Sequence, residues 1–201
     1  MKIAVLLVGG ARLPRSLRAL PVVDDVEAAE FQRLIVVGAD ADLAAVLTGL
    51  LRAGRLDVEV AFVSRRRSAA TGAYRLPTGW RAARRARGGA AQRVPLIRDE
   101  TGSVIVGAAE WRPSGDAPQL HGEAVVDDTT LFDGDVTAVR IEPTAALPGL
   151  RARVAGGRWV TGRAAQLGTT GATVIRDGVP AARPVRRSTF YRHVEGWLLV
   201  R

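Results

Sequence analysis

The sequence predicts two domains of different class: a small α/β, Rossmann-like domain over residues 1–93, then an antiparallel β-sandwich over residues 94–201. Three observations carry this reading. In the first half an apolar run of strand length, residues 34–37, stops at Gly38 in a polar turn, and Leu43, Val46, Leu47, Leu50 and Leu51 follow at helical spacing. From about Val94 helical periodicity disappears, and short apolar or alternating runs recur between Gly, Pro and Asp. A chain of 201 residues, 47% hydrophobic and 24% charged, is globular and long enough to bury the cores of two small domains.

Taken in order, residues 2–8 form a first strand that ends at Gly9-Gly10. Residues 12–25 contain Pro14 and Pro21 and show no sustained period, so they read as a loop with at most one turn of helix; a short helix is expected over 26–32. The central strand, turn and helix come next, with Gly54 as the natural C-cap. Residues 57–63, DVEVAFV, alternate into another strand. SRRRSAATGAYRLP follows, ending at Pro77, and residues 78–87 read as a helix carrying Arg81, Arg84, Arg85 and Arg87 and stopping at Gly88-Gly89. The sandwich strands are expected at 103–109, 120–126, 136–142, 150–154, 158–161, 172–175, 188–194 and 197–200.

Composition narrows the chemistry. There is no cysteine, which excludes disulfides and thiolate metal sites, and His121 and His193 are too few for a histidine-rich centre. The opening MKIAVLLVGG is too short an apolar run to span a bilayer and lacks the features of a signal peptide. A cytoplasmic protein without a transmembrane segment is expected, with peripheral attachment to a membrane left open. The formal net charge of +9 points to an anionic partner: a phosphorylated small molecule, an anionic lipid surface or nucleic acid. Its most basic stretch runs over 52–93, where Arg65, Arg66 and Arg67 stand together. Nucleic acid is the less favoured partner, because only Tyr74 and Trp80 are near these arginines for stacking.

The string RLIVVGADADLAAVLTGLL resembles the glycine-rich VVGGDGTLNEVLNGLL stretch of the diacylglycerol kinase and bacterial lipid kinase family, with Gly38, Asp40, Leu43, Val46, Leu47, Gly49 and Leu50 in matching places. It departs at Ala39 and Ala41, where the family has Gly, and at Asp42, where it has Thr. Counted back from Pro77, residues 65–68 fall on the family's GTGN segment. TVIRDGVPAARPV resembles the DGE segment, keeping Asp177 and Gly178 but not the Glu. The resemblance covers residues 34–201 and implies the same α/β-then-sandwich order.

Phosphoryl transfer from ATP requires a backbone cradle for the phosphates, a metal held by carboxylates and a base near the acceptor hydroxyl. By resemblance, Asp40 takes the place of the loop aspartate that organises phosphate and metal, and Asp177 that of the base, with Gly38, Asp40, Arg65, Arg66 and Arg67 around the nucleotide. Their structural alternatives are a helix-start aspartate and a hairpin Asp-Gly. Three functions are compatible with these residues. One is a degenerate lipid-kinase-like pseudoenzyme with a basic surface for an anionic ligand, which the altered loop favours. The second is an active, divergent lipid kinase using ATP and Mg. The third is a basic module for nucleic acid or a membrane surface.

Overall fold

A computed structural model of the protein describes residues 1–24 and 31–201; all but the last two residues of the helix expected over 26–32 lie outside the described residues. Two compact units divide the chain: Met1–Val94 with Glu195–Arg201, and Pro95–Val194.

The first unit begins with strands β1 (Ile3–Leu7), β2 (Val22–Val23) and β3 (Arg33–Val37). Helix α1 (Asp40–Arg52), β4 (Glu59–Val63), the short α2 (Ala69–Ala73), α3 (Gly79–Gly88) and β5 (Ala91–Val94) follow. The second unit runs through β6 (Ile97–Asp99), β7 (Val104–Ile105), β8 (Ala109–Pro113), β9 (Leu120–Val126), β10 (Thr129–Val136) and β11 (Val139–Pro143). It continues with β12 (Leu150–Val154), β13 (Val160–Gly162), β14 (Ala164–Arg176), β15 (Val179–Pro180) and β16 (Val185–Arg192). The chain then returns to the first unit as β17 (Trp197–Val200).

In the first unit six strands lie in the order β2-β1-β3-β4-β17-β5, with only β5 antiparallel to its neighbour. β3 is buried at all five residues, as a central parallel strand covered on both faces must be. Helix α1 buries Leu43, Val46, Leu47 and Leu50, and α3 buries only Ala82, Ala83 and Ala86, small residues that let its backbone approach β4 and leave its arginines outside. The first residue of β3 is a buried cation, Arg33, 4% exposed. Its Nε and Nη2 reach Glu59 Oε2 at 2.7 and 2.6 Å; Nη1 donates to the carbonyls of Ala86 and Arg87, and Nη2 to that of Gly89. One guanidinium thus satisfies the C-terminal carbonyls of α3 and fixes that helix to the sheet.

The second unit is an antiparallel β-sandwich. β14 is its longest strand: residues 165–169 pair with β9, residues 172–176 with β8, and the register along β16 shifts between Gly168 and Ala172. Trp111 and Phe190 are fully buried with ring centroids 6.0 Å apart, and Trp111 Nε1 donates to Ser188 Oγ at 3.0 Å. On the more exposed side of this sheet Arg140, Arg151, Glu110 and Glu142 form an ionic network.

Several elements differ from the sequence reading: it gave no helix at α2 and no strand at β2, β5, β6 or β15, and one strand over 103–109 where the chain forms β7 and the start of β8. β10 and the first half of β14 were not expected, because Asp133, Gly134 and Asp135 in one and Gly168 and Gly171 in the other are residue types that strands disfavour. Residues 197–200, expected in the sandwich, pair instead with β4 and β5. A four-residue apolar run identifies a strand but not the sheet it joins.

Candidate functional site

In a parallel α/β sheet the ligand crevice lies beyond the carboxyl ends of the strands. Here those ends are Gly9-Gly10 after β1, Gly38-Ala39 after β3, residues 64–68 after β4 and Arg201 after β17.

The turn after β3 leads into α1 with Ala39 as N-cap, at φ −92° and ψ 174°. This is extended backbone, and Ala41 is already helical, so neither alanine is strained. The turn is altered by Asp42 instead. Ala39 cannot cap a helix with its side chain, and Asp42, at the third helical position, accepts the Ala39 N–H on Oδ2 at 2.7 Å. The same carboxylate lies across Gly38 and Gly9: a Cβ built on Gly38 would stand 2.5 Å from Oδ2, and one on Gly9 3.3 Å from it. A negative side chain therefore lies over the N-terminus of α1, an environment that favours anions.

Asp40 turns the other way. Its Oδ2 accepts the N–H of Ala70 at 3.0 Å, linking the start of α1 to α2, and its Oδ1 is buried without a hydrogen-bond partner. Gly38 is half-buried and donates its N–H to Val63. Arg65, Arg66 and Arg67 are exposed in the loop from β4 to α2, ahead of Ser68, which caps α2 by accepting the Thr71 N–H. Gly38, Asp40 and the 65–70 loop are thus neighbours at one end of the sheet.

Asp177, in the second unit, stands at φ 48° beside Gly178 at φ 86°, in the turn that pairs Arg176 with Val179. Its Oδ1 accepts the N–H groups of Gly107 and Ala108 at 2.7 and 3.0 Å, and its Oδ2 that of Val106 at 3.0 Å. Three main-chain donors hold this carboxylate.

The fit to ATP and magnesium at the turn after β3 is poor. The Asp42 carboxylate lies against Gly38 and Gly9 at that turn, and among the described residues no group of three or more His, Asp and Glu is placed to hold a metal.

Beside α2 the same end of the first unit opens into a cleft of about 900 Å³, lined by Arg67, Ser68, Arg75, Arg85, Gln92 and Arg201 among others. An adjoining cleft of about 650 Å³ shares Arg85 and Arg201 and adds Trp80, Arg81 and Arg84. Trp80 is 67% exposed, and the Arg81 guanidinium lies 5.4 Å from its ring centroid. The sequence reading had identified Arg67 and Arg85 but not Arg75, Gln92 or Arg201. Arg201 reaches the cleft only because β17 returns to the first sheet.

No protein-family model matches the chain, and no curated protein matches it in sequence. Solved structures do match its fold. A diacylglycerol kinase from Bacillus anthracis str. Sterne superposes with a TM-score of 0.72 at 11% identity, over 99% of this chain and 96% of that one. A second Bacillus anthracis str. Sterne structure, a putative diacylglycerol kinase, gives 0.72 at 10% identity over 99% and 95%. An NAD kinase from Archaeoglobus fulgidus in complex with ATP gives 0.66 at 11% identity over 100% and 94%. The fold is therefore the one these kinases share, an α/β unit combined with a β-sandwich. Within that fold class the chain has the diacylglycerol-kinase-like fold. No helix among the described residues is long and apolar enough to cross a membrane.

Proposed function

We propose that this protein keeps the lipid-kinase fold without efficient phosphoryl transfer, and that the basic face of its first unit binds an anionic ligand. The observation that carries the reading is Asp42: its carboxylate receives the Ala39 N–H and lies over Gly38 and Gly9, so a polyphosphate approaching the turn meets both a side chain and a like charge. Asp177 supports the same reading, because its carboxylate is already occupied by three main-chain N–H groups. The clefts provide the other half: among the described residues neither has an acidic lining side chain, and their arginines include Arg67, Arg75, Arg84 and Arg85, for which no ion pair occurs there.

The test is calorimetric titration with Mg-ATP, a radiolabel transfer assay on mixed lipids containing diacylglycerol, and retention on immobilised heparin at low salt. Retention without transfer is the expected result, and robust transfer lost in Asp40→Asn would overturn the reading. An active, divergent kinase is the second reading. It is favoured by Asp40 Oδ1, a buried carboxylate oxygen with no partner, which a metal would satisfy.

A further inference from the structure

We propose that the cleft formed by Arg67, Arg75, Arg85 and Arg201 binds a compact polyphosphate, a molecule bearing two or three linked phosphate groups, through the phosphates themselves. The inference rests on the anionic-ligand reading above and specifies its ligand and place. The four guanidinium groups come from four separate segments: the loop after β4, the end of α2, the exposed side of α3 and the end of β17. Arginines spread along one helix are the ordinary pattern of a solvated surface, whereas here the fold brings distant ones to a single concavity. Arg201 is also held in place, its Nε and Nη2 both donating to Gln92 Oε1, with the Nε bond at 2.7 Å. A guanidinium fixed in this way loses less freedom when a phosphate arrives.

Arg75 adds an independent observation. It follows the C-cap of α2 at φ 54°, a conformation that favours glycine, and Leu76 N–H closes back on the Thr71 carbonyl at 2.9 Å as in a helix-ending motif. A long cationic side chain thus occupies a position where its Cβ is unfavourable, and that side chain lines the cleft.

The lining also separates phosphate from the alternatives. No aromatic side chain lines this cleft; Tyr74 is fully buried, and Trp80 belongs to the adjoining one with a guanidinium already over its ring. Bases therefore find no stacking platform, which disfavours single-stranded nucleic acid. A concavity lined mainly by polar residues suits a small multivalent anion better than the plane of a bilayer, which meets exposed rather than recessed groups. Paired phosphate oxygens match the guanidinium fork, and linked phosphates meet several forks at once.

Calorimetric titration with inorganic tripolyphosphate at low salt, with ATP free of magnesium as a second arm, tests the proposal on the full chain. Saturable binding is expected, tighter than to single phosphate ions and about tenfold or more weaker in Arg85→Gln. Arg75→Gly is the decisive variant, since glycine relieves the positive φ: its melting temperature is expected to hold or rise while tripolyphosphate affinity falls about tenfold. Equal affinity for tripolyphosphate and ATP assigns the phosphates as the recognised group; tighter binding of ATP would overturn phosphate-only recognition. Absence of tripolyphosphate binding, or binding unchanged in both variants, refutes the cleft. A preference for a single-stranded oligonucleotide or for anionic vesicles at equal phosphate concentration also refutes it. Retention on heparin in any of those cases leaves the anionic-ligand reading standing, so the two failures are distinguishable.

Discussion

Asp42→Asn isolates the charge that closes the turn after β3. The carboxylate does two things there: it accepts the Ala39 N–H at 2.7 Å, and it places a negative charge in the first turn of α1. A favourable charge at a helix N-terminus is worth about 0.3–1 kcal/mol, and the acceptor itself about 0.5–2 kcal/mol. Asparagine keeps an acceptor and loses the charge, whereas Asp42→Gly loses both and costs roughly a further 0.3 kcal/mol in helix propensity. At about 2–4 °C per kcal/mol for a chain of this size, melting is expected to fall by roughly 1–4 °C in Asp42→Asn and roughly 2–13 °C in Asp42→Gly. The effect on phosphate has the opposite sign. A unit charge about 4 Å from the carboxylate is opposed by about 1 kcal/mol in water and about 4 kcal/mol at an effective dielectric constant near 20. Neutralising Asp42 is therefore expected to raise Mg-ATP affinity at this turn by between about fivefold and about a thousandfold. Calorimetry in an Arg75→Gly background, where the arginine cleft is weakened, reads this site in preference to the other. Loss of stability with no gain in Mg-ATP affinity in either variant would refute the idea that Asp42 closes the site, and unchanged melting in both would refute the capping bond.

Three further outcomes follow from the same geometry. Arg33→Met leaves Glu59 and the α3 carbonyls without their donor and is expected to cost about 3–5 kcal/mol in denaturant unfolding, with much of the loss recovered when Glu59→Met is added. Asp177→Asn is expected to cost about 1–3 kcal/mol, because an amide nitrogen must face one of three main-chain donors; melting must therefore be measured beside any activity assay on this variant. Burial pushes the Glu142 carboxyl up, but hydrogen bonds and charge from Arg140 and Arg151 outweigh it and hold the group below its ordinary value of 4.5. Its contribution to stability is present above that ordinary value and is lost as the pH falls through the depressed one, so a urea midpoint measured against pH is expected to show an acid limb that Glu142→Gln reduces.

The alternation of strand and helix before Val94 was legible because each element carries its own period: β3 is a continuous apolar run, and α1 places Leu43, Val46, Leu47 and Leu50 on one face. The sandwich was legible as a class and less so strand by strand. β10 has only Phe132 buried among its eight residues, so no alternation marked it. The site was legible in its loop and not in its occupant. By resemblance GADAD has alanines in place of two glycines, which suggests strained backbone; the N-cap alanine is in fact extended, and the acceptor for its N–H is Asp42, three residues on. That reciprocal signature, a residue unable to cap followed by an acidic side chain at the third helical position, is readable in sequence. The arginine cleft is different, because Arg67, Arg75, Arg85 and Arg201 come together only through the pairing of β17 with β4 and β5.

Four aspartates bear on the proposal that an anionic ligand belongs to the arginines rather than to the turn after β3. Asp42 accepts from Ala39, Asp40 from Ala70, and Asp177 from residues 106–108. Asp127, which no resemblance implicates, also stands at positive φ and accepts the N–H groups of Arg163 and Ala164. Asp177 and Asp127 are thus the same device, a left-handed turn residue whose carboxylate gathers the main chain of a neighbouring segment. The hydrogen bonds of Asp177 require nothing beyond that role, and those of Asp42 and Asp40 organise the backbone around α1 and α2 in the same way. The donors that would greet a phosphate at the α1 turn are therefore already opposed by the protein's own carboxylate. Two strands away no acidic side chain among the described residues lines the cleft with the guanidinium groups, and on the proposal above that is where an incoming polyphosphate would find partners.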